Sequence, residues 1–232
     1  MMMDIFSSFD PHIYSISSSV PSILFWILST ASIFILHTTF WVQPNRVFWM
    51  ISIFTNVIFA QSMRTSTIKS KGFTNFITSL FLLLTITNLS GLIPYMFSSS
   101  SHLFFTFTLG LPLWLSIVLS SFTYSPISWM AHLLPSGAPW WLNPFLILIE
   151  TMSIILRPIT LSFRLTANMS AGHIVLSLLG SFASSLIFTA PTTFILLMIT
   201  QILYMTFEIG ICLIQAYIFC LLLTLYMDEH TN

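Results

Sequence analysis

The chain has 232 residues, of which 56% are hydrophobic and only 5% are charged, and its formal net charge is zero. Soluble domains carry about 25% charged residues and nucleic-acid-binding domains show a basic face, so neither class fits this composition. Residues 72–149 and 165–207 contain no Asp, Glu, Lys or Arg, and both stretches far exceed the roughly 20 apolar residues that span a bilayer. We therefore expect one membrane domain, residues 1–232, with the lipid bilayer around it and no nucleic-acid partner.

The N-terminal segments predict a tail and one membrane span. Residues 1–19 are polar and rich in serine, whereas residues 20–42 form an apolar run long enough for a spanning helix. The opening sequence, MMMDIFSSFDPHIY, has neither the basic start of a signal peptide nor the Arg-rich pattern of a transit peptide. We therefore expect the helices of the chain to direct it to the membrane.

Residues 45–71 hold four of the six basic residues of the chain, which are Arg46, Arg64, Lys69 and Lys71. Apolar residues between them recur every three or four positions, which predicts an amphipathic helix. A helix along the membrane surface keeps these charges on one side, whereas a spanning helix would separate them, so we favour the surface helix. The positive-inside rule assigns that side to the matrix or the cytoplasm.

The next segments predict two spanning helices, at residues 73–97 and 103–124, and a loop at residues 125–143. Asn88, near the end of the first of these spans, predicts a hydrogen bond between helices, and the glycine and proline that follow predict a helix stop. The loop contains three prolines and three tryptophans, which is typical of the membrane interface.

Two long apolar segments follow, at residues 144–180 and 181–227, before a charged tail at residues 228–232. A helix as long as the first segment measures about 55 Å, whereas the hydrocarbon layer is about 30 Å thick, so neither segment fits upright. The predicted fold class is an all-α integral membrane protein. It contains about three upright or short helices, one amphipathic surface helix, and two long, steeply tilted helices that form a hairpin.

Polar side chains concentrate in these two long segments. Glu150, Arg157 and Arg164 recur at an interval of seven residues, which is close to two helical turns and places them on one stripe. Glu208 and Gln215 have the same spacing in the second segment. A charge at the centre of a membrane helix costs about 2.5–3.5 kcal/mol even on the mildest scale, and such residues face a protein interior or a water-filled path. The pattern therefore predicts a buried hydrophilic seam between two helices.

The residue types in this seam suit the movement of protons. The arginine side chain does not lose its proton, so Arg164 is a permanent barrier and a partner for a carboxylate. His173 and Glu208 can both bind and release protons once burial shifts them. Because His173 follows Arg164 by nine residues, it lies about 180° around an ideal helix, on the opposite face.

Structural interpretations of the same residues stay open. Arg164, Asn168 and Glu208 could tie helices together through buried ion pairs, which are often energetically neutral. His173 fits a hydrogen-bonded core histidine as well as it fits a proton carrier. Glu150 and Arg157 either pair with each other or face the interface.

Other function classes fit the sequence less well. The alternative is a proton-translocating subunit of a respiratory-chain complex, although such subunits more often scatter buried lysines and glutamates over several spans. A haem protein needs axial histidines on facing helices, and no paired spacing is present. A phosphate-binding Walker loop is also absent, because the only neighbouring Gly and Lys stand in reverse order, at Lys71 and Gly72. We expect no cofactor, no metal site and no enzymatic activity.

A set of segments distributed along the chain carries a family resemblance. The most specific is LSFRLTANMSAGHIVLSLLG, at residues 161–180. The others, in chain order, are NLSGLIPYMF (88–97), GLPLWLS (110–116), HLLPSGAP (132–139), IETMSIILRP (149–158) and FEIGICLIQAYIFCLLLTLY (207–226). Together they resemble subunit a of the F-type ATP synthase, in its mitochondrially encoded form, over nearly the whole chain.

The resemblance implies roles for individual residues. Arg164 matches the family arginine that faces a rotating ring of c subunits, and Asn168 follows it one turn later on the same face. His173 and Glu208 match two positions that line one half-channel, where some relatives carry the acid and the histidine exchanged. Gln215 matches a glutamine near the arginine.

The resemblance extends to the other half-channel and to the surroundings of the chain. Glu150 matches a polar position of that half-channel, and Arg157 matches a position that varies within the family. The implied function is proton translocation through two offset aqueous half-channels, coupled to ring rotation, with ATP chemistry on other subunits. The implied partners are the c-subunit ring and the other membrane and peripheral-stalk subunits, and the implied location is the mitochondrial inner membrane.

Overall fold

The computed structural model describes residues 46–65, 72–93, 96–124, 126–132, 140–187 and 190–231, together with Phe9 and Ile27. These ranges consist of helices and short turns and contain no strand, which confirms the all-α class. The predicted tail at 1–19 and the predicted span at 20–42 lie outside the described residues, apart from Phe9 and Ile27.

The helices of the described ranges are numbered here in chain order. They are α1 (Arg46–Ser62), α2 (Phe73–Gly91), α3 (Leu103–Tyr124), α4 (Pro126–His132), α5 (Asn143–Leu186) and α6 (Pro191–Thr231). Short 3-10 turns at Ser99–Ser101 and Trp140–Leu142 precede α3 and α5. Because α2, α3, α5 and α6 are long and apolar enough to cross a bilayer, the prediction of an integral membrane protein is confirmed.

Helix α1 has 17 residues, fewer than the roughly 20 that span a bilayer. One of its sides packs against α6, where the Tyr217 hydroxyl donates a hydrogen bond to Gln61 Oε1 at 2.6 Å. Its other side leaves large apolar side chains exposed, among them Trp49, Met50 and Ile53. The helix ends at Ser62, and residues 66–71 of the predicted segment lie outside the described part. Its position along the membrane surface stays a prediction.

The core lies where α2, α3, α5 and α6 meet. Helix α2 buries side chains three or four residues apart, as the apolar period requires: Ile77, Leu80, Phe81 and Leu84. Helix α3 approaches α5 closely at Gly110, where an added Cβ would lie 3.7 Å from the carbonyl oxygen of Pro158. The hydroxyls of Thr106 and Thr166 share a hydrogen bond of 2.7 Å between the same helices. In a bilayer such contacts stabilise through close packing and hydrogen bonds rather than through release of water.

Helices α5 and α6 form the predicted hairpin, with 44 and 41 residues. At 1.5 Å per residue each is more than about 60 Å long, roughly twice the hydrocarbon thickness, so neither can stand upright in it. Their contacts run antiparallel, because Arg157 meets Tyr226 while Asn168, further along α5, meets Gln215, further back on α6.

Three boundaries differ from the sequence-based expectation. Helix α5 continues through Gly180 to Leu186, because an open helical glycine costs only about 1 kcal/mol, and α6 begins at Pro191, whose missing N–H suits a first turn. The predicted loop at 125–143 contains the short helix α4, which likewise begins at a proline. Helix α2 ends at Gly91 rather than at residue 97.

Gly72, just before α2, allows the cost of a left-handed backbone conformation to be measured without a steric clash. Gly72 has a φ of 85°, and a Cβ added there would meet nothing within 4 Å. We expect Gly72→Ala to lower the free energy of unfolding by about 1–2 kcal/mol, because a side chain disfavours the left-handed conformation. Thermal unfolding of the protein in detergent measures this. The matched control is Gly210→Ala, at a helical glycine that is also open, and an equal loss in both variants would contradict the explanation.

Candidate functional site

A hydrogen bond between the two long helices lies at the centre of the predicted seam. The Asn168 amide Nδ2 donates to Gln215 Oε1 at 2.9 Å. Gln215 is buried and Asn168 is half-buried. An amide pair of this kind satisfies both polar groups inside the membrane and fixes how α5 and α6 are aligned. The structure therefore brings together two of the residues that the sequence selected.

Arg164 lies one helical turn before Asn168 on α5 and is exposed. No carboxylate of the described residues forms an ion pair with it, and no hydrogen bond joins it to a described side chain. A guanidinium on an apolar helix requires a water-filled path or an acidic partner. The described part of the chain supplies no such acid.

Glu208 is 2% exposed and lies against the backbone of α5. A Cβ built at Gly172 would come within 2.6–2.8 Å of the Glu208 carboxyl atoms, so only a glycine leaves room for this carboxylate. The Tyr204 hydroxyl, one turn earlier on α6, interacts with the same carboxylate. Neither Gly172 nor the contact from Tyr204 was predicted, although Tyr204 is four residues from Glu208 and so shares its helix face.

His173 follows the glycine that contacts Glu208. Its Nε2 atom is buried and has no hydrogen-bond partner among the described residues. Its ring stands edge-on to Phe9, with ring centroids 6.2 Å apart and an interplanar angle of 90°. No ion pair or hydrogen bond joins His173 to Glu208. The two residues therefore lie in the same region without direct contact, and their action as a pair stays a prediction.

Glu150 and Arg157 form a second polar group, towards the opposite end of the hairpin from His173. Arg157 Nη2 lies 3.9 Å from Glu150 Oε1, so the pairing that the sequence left open is present. The Arg157 guanidinium also stacks over the Tyr226 ring of α6, with Cζ 4.8 Å from the centroid. The Glu150 side chain is 41% exposed, so the protein encloses this pair only in part.

The described residues contain no group of three or more His, Cys, Asp or Glu side chains that could hold a metal ion. Cys212 and Cys220 are free, and each is 1% exposed. Cys212 Sγ lies 3.5 Å from Met169 Sδ, in a small apolar cluster beside the amide pair. Both cysteines are therefore packing residues of the helix interfaces.

A family model and several known proteins match this chain along nearly its whole length. A family model described as the ATP synthase A chain matches residues 19–228. Proteins named ATP synthase subunit a from Aedes aegypti and Drosophila yakuba are each 38% identical to this chain, and the alignments cover 99% of both partners. The protein of the same name from Albinaria caerulea is 39% identical over 99% of this chain and 100% of its own length.

The close approach of α6 to Gly172 can be tested by adding one methyl group. We expect Gly172→Ala to lower the thermal unfolding midpoint, because overpacking costs about 1–3 kcal/mol and the buried carboxylate has to move. The matched control is Gly180→Ala, on the same helix, where a Cβ meets nothing within 4 Å. We expect the control to keep or raise the midpoint. An unchanged midpoint in Gly172→Ala would contradict the contact.

Proposed function

The chain belongs to the ATP synthase A chain family, and we propose that it forms two offset aqueous half-channels beside a rotating ring of c subunits. Family membership makes it a proton-translocating membrane subunit of the ATP synthase complex, with several membrane-spanning helices. In the proposal, a proton enters one half-channel, neutralises a ring carboxylate, travels around with the ring and leaves by the other half-channel.

The exposed guanidinium of Arg164 is the observation that carries this proposal. It lies on a long apolar helix, and no described side chain neutralises it. A carboxylate from a neighbouring ring would meet this requirement. At 4 Å and an effective dielectric constant of 20, two opposite unit charges attract by about 4 kcal/mol. This attraction keeps an empty ring carboxylate ionised as it passes, so protons cannot cross directly from one half-channel to the other.

The amide pair supports this role of Arg164. The side chains of Asn168 and Gln215 are hydrogen-bonded to each other. The Arg164 guanidinium therefore stays available to a carboxylate of the ring. The amide pair also holds α6 against α5 one turn away from Arg164. We propose that the pair positions the arginine face relative to the ring, because a shift of α6 along α5 would first have to break this hydrogen bond.

His173 and Glu208 are the proposed proton-binding groups of one half-channel. Among the described residues, Glu208 interacts with Tyr204 and has no ion pair with a cation, and the Nε2 atom of His173 has no hydrogen-bond partner. Both are titratable side chains of the described seam with capacity to exchange a proton through water. We propose that water joins them, since no direct bond does.

Glu150 and Arg157 belong to the second half-channel in this proposal. Glu150 is partly exposed and carries the carboxylate, while Arg157 connects it to Tyr226 on α6. By the positive-inside rule, we propose that the basic segment at residues 45–71 lies on the matrix side of the mitochondrial inner membrane. Each proton that crosses the membrane potential releases about 2.3 kcal/mol per 100 mV, which the ring converts into rotation.

The chain acts without catalysis of its own in this proposal, and ATP chemistry takes place on other subunits. The exposed apolar sides of α1 and α3 are proposed to meet lipid and the other membrane and peripheral-stalk subunits. No contact among the described residues favours the alternative of a respiratory-chain subunit.

The role of Arg164 is tested by Arg164→Gln in the assembled ATP synthase. We expect proton-driven ATP synthesis and ATP-driven proton pumping to disappear, because the uncharged amide cannot hold a ring carboxylate ionised. Arg64→Gln is the control, since Arg64 lies in the turn after α1, away from the seam. Coupled synthesis at the wild-type rate in Arg164→Gln would contradict the barrier role.

The joint role of His173 and Glu208 is tested by a double-mutant cycle on proton flux. We expect His173→Ala and Glu208→Ala each to slow flux, and the double variant to lose less than the two single losses combined, because the groups serve one path. Passive proton conduction through the membrane sector measures this. Fully additive losses would indicate that the two residues act separately.

A further inference from the structure

A second buried polar group lies outside the seam, where α2 ends and α3 begins. It contains Asn88 of α2, which is 0% exposed, and the serine turn, defined here as Ser98–Ser101. All four serines of the turn are buried. The sequence predicted a hydrogen bond from Asn88 to another helix, and the structure contradicts this among the described residues.

The polar atoms of this group are only partly satisfied. Within the serine turn, Ser98 and Ser101 bind each other through their hydroxyls at 2.9 Å. In contrast, Asn88 Nδ2, Asn88 Oδ1 and Ser100 Oγ are buried without a hydrogen-bond partner in the described part of the chain. A buried amide without partners costs several kcal/mol in apolar surroundings, so native proteins satisfy such groups, commonly with ordered water.

Packing links this group to the region of His173. Gly91, three residues after Asn88 and so near its helix face, adjoins both the serine turn and α5: a Cβ there would lie 3.3 Å from Ser98 Cβ and 3.1 Å from Met169 Cε. His173 lies one turn beyond Met169 on α5 and also has an unpartnered buried atom, Nε2.

A second connection runs through His102 and Phe9. His102 follows the serine turn, and its ring stacks on Phe97 with centroids 5.0 Å apart. Burial lowers the pKa of His102, and a hydrogen bond with the Phe9 backbone partly opposes that effect. The Phe9 ring meets His173 edge-on, so Phe9 joins the two histidines.

We propose that Asn88 and Ser100 hold ordered water, and that this hydrated pocket forms the outer segment of the half-channel that reaches His173. The proposal rests on the proposed function of the seam and adds residues that the family resemblance did not select for it. The ligand is water, which supplies both the donors and the acceptors that an amide and a hydroxyl require.

Asn88 acts as a positioning residue in this arrangement. Its amide does not titrate, so it does not carry a proton itself. It donates to one water and accepts from another, which orients a chain of hydrogen bonds along which protons pass towards His173. Each water that gives up a proton on one side receives another from the opposite side, so the number of protons is conserved, and the waters then turn to restore the starting orientation of the chain.

The test compares Asn88→Leu, which keeps the approximate size and removes both hydrogen-bonding groups, with Asn88→Ser, which leaves room and polarity for water. We expect proton flux through the assembled ATP synthase to fall about tenfold in Asn88→Leu, the equivalent of one lost hydrogen bond, and to be largely restored in Asn88→Ser. Thr87→Val is the control, because the neighbouring Thr87 hydroxyl is buried but already bonded to the backbone of its own helix at 2.9 Å.

The thermal unfolding midpoints of the same variants show whether water is bound at Asn88. In a dry pocket Asn88→Leu removes an unsatisfied amide, so it would raise the unfolding midpoint and leave flux unchanged, which would overturn the proposal. If Asn88→Leu does not assemble, Ser100→Ala replaces it, with a slower flux expected and an unchanged flux contradicting the proposal. Arg164→Gln is measured beside them: if it abolishes coupling while the Asn88 and Ser100 variants behave as wild type, this inference fails and the proposed function stands.

Discussion

The hydrogen bond between Asn168 and Gln215 is the constraint on which the arrangement of polar groups depends. It fixes the alignment of two helices that are each far longer than a bilayer is thick, and the other contacts of polar residues between α5 and α6 fit that alignment. With the helices in this register, Glu208 lies at Gly172 and Arg157 lies at Tyr226. Arg164 is then left outside, exposed on the surface of the hairpin.

Polar side chains in this chain fall into two physical classes. Some are satisfied within the described part, such as Thr106 with Thr166 and Tyr217 with Gln61, and these hold helices together as small polar groups commonly do in membranes. Others are buried, or lie on a membrane helix, without a partner in that part. Such polar groups destabilise the protein unless water or another subunit binds them. We propose that water forms hydrogen bonds with His173 and Asn88, and that a ring carboxylate pairs with Arg164.

The sequence predicted the fold class, the hairpin and the segments that hold the polar residues, because apolar period and length depend on local sequence. It did not predict the short helix α4 or the end of α5 at Leu186, since isolated prolines and glycines are tolerated in several settings. The contact between Gly172 and Glu208 was also missed, and the hydrogen bond predicted from Asn88 to another helix was wrong among the described residues. Such contacts depend on the relative rotation of two helices, which no single segment encodes.

The most direct test of the central claim is the position of the Arg164 guanidinium in a high-resolution structure of the assembled ATP synthase. The account predicts a carboxylate of the neighbouring ring within about 4–6 Å of this guanidinium, the range in which opposite charges favour each other's ionised form, or one water between them. A guanidinium that points into lipid or bulk solvent, with no acidic side chain of the ring opposite it, would contradict the account.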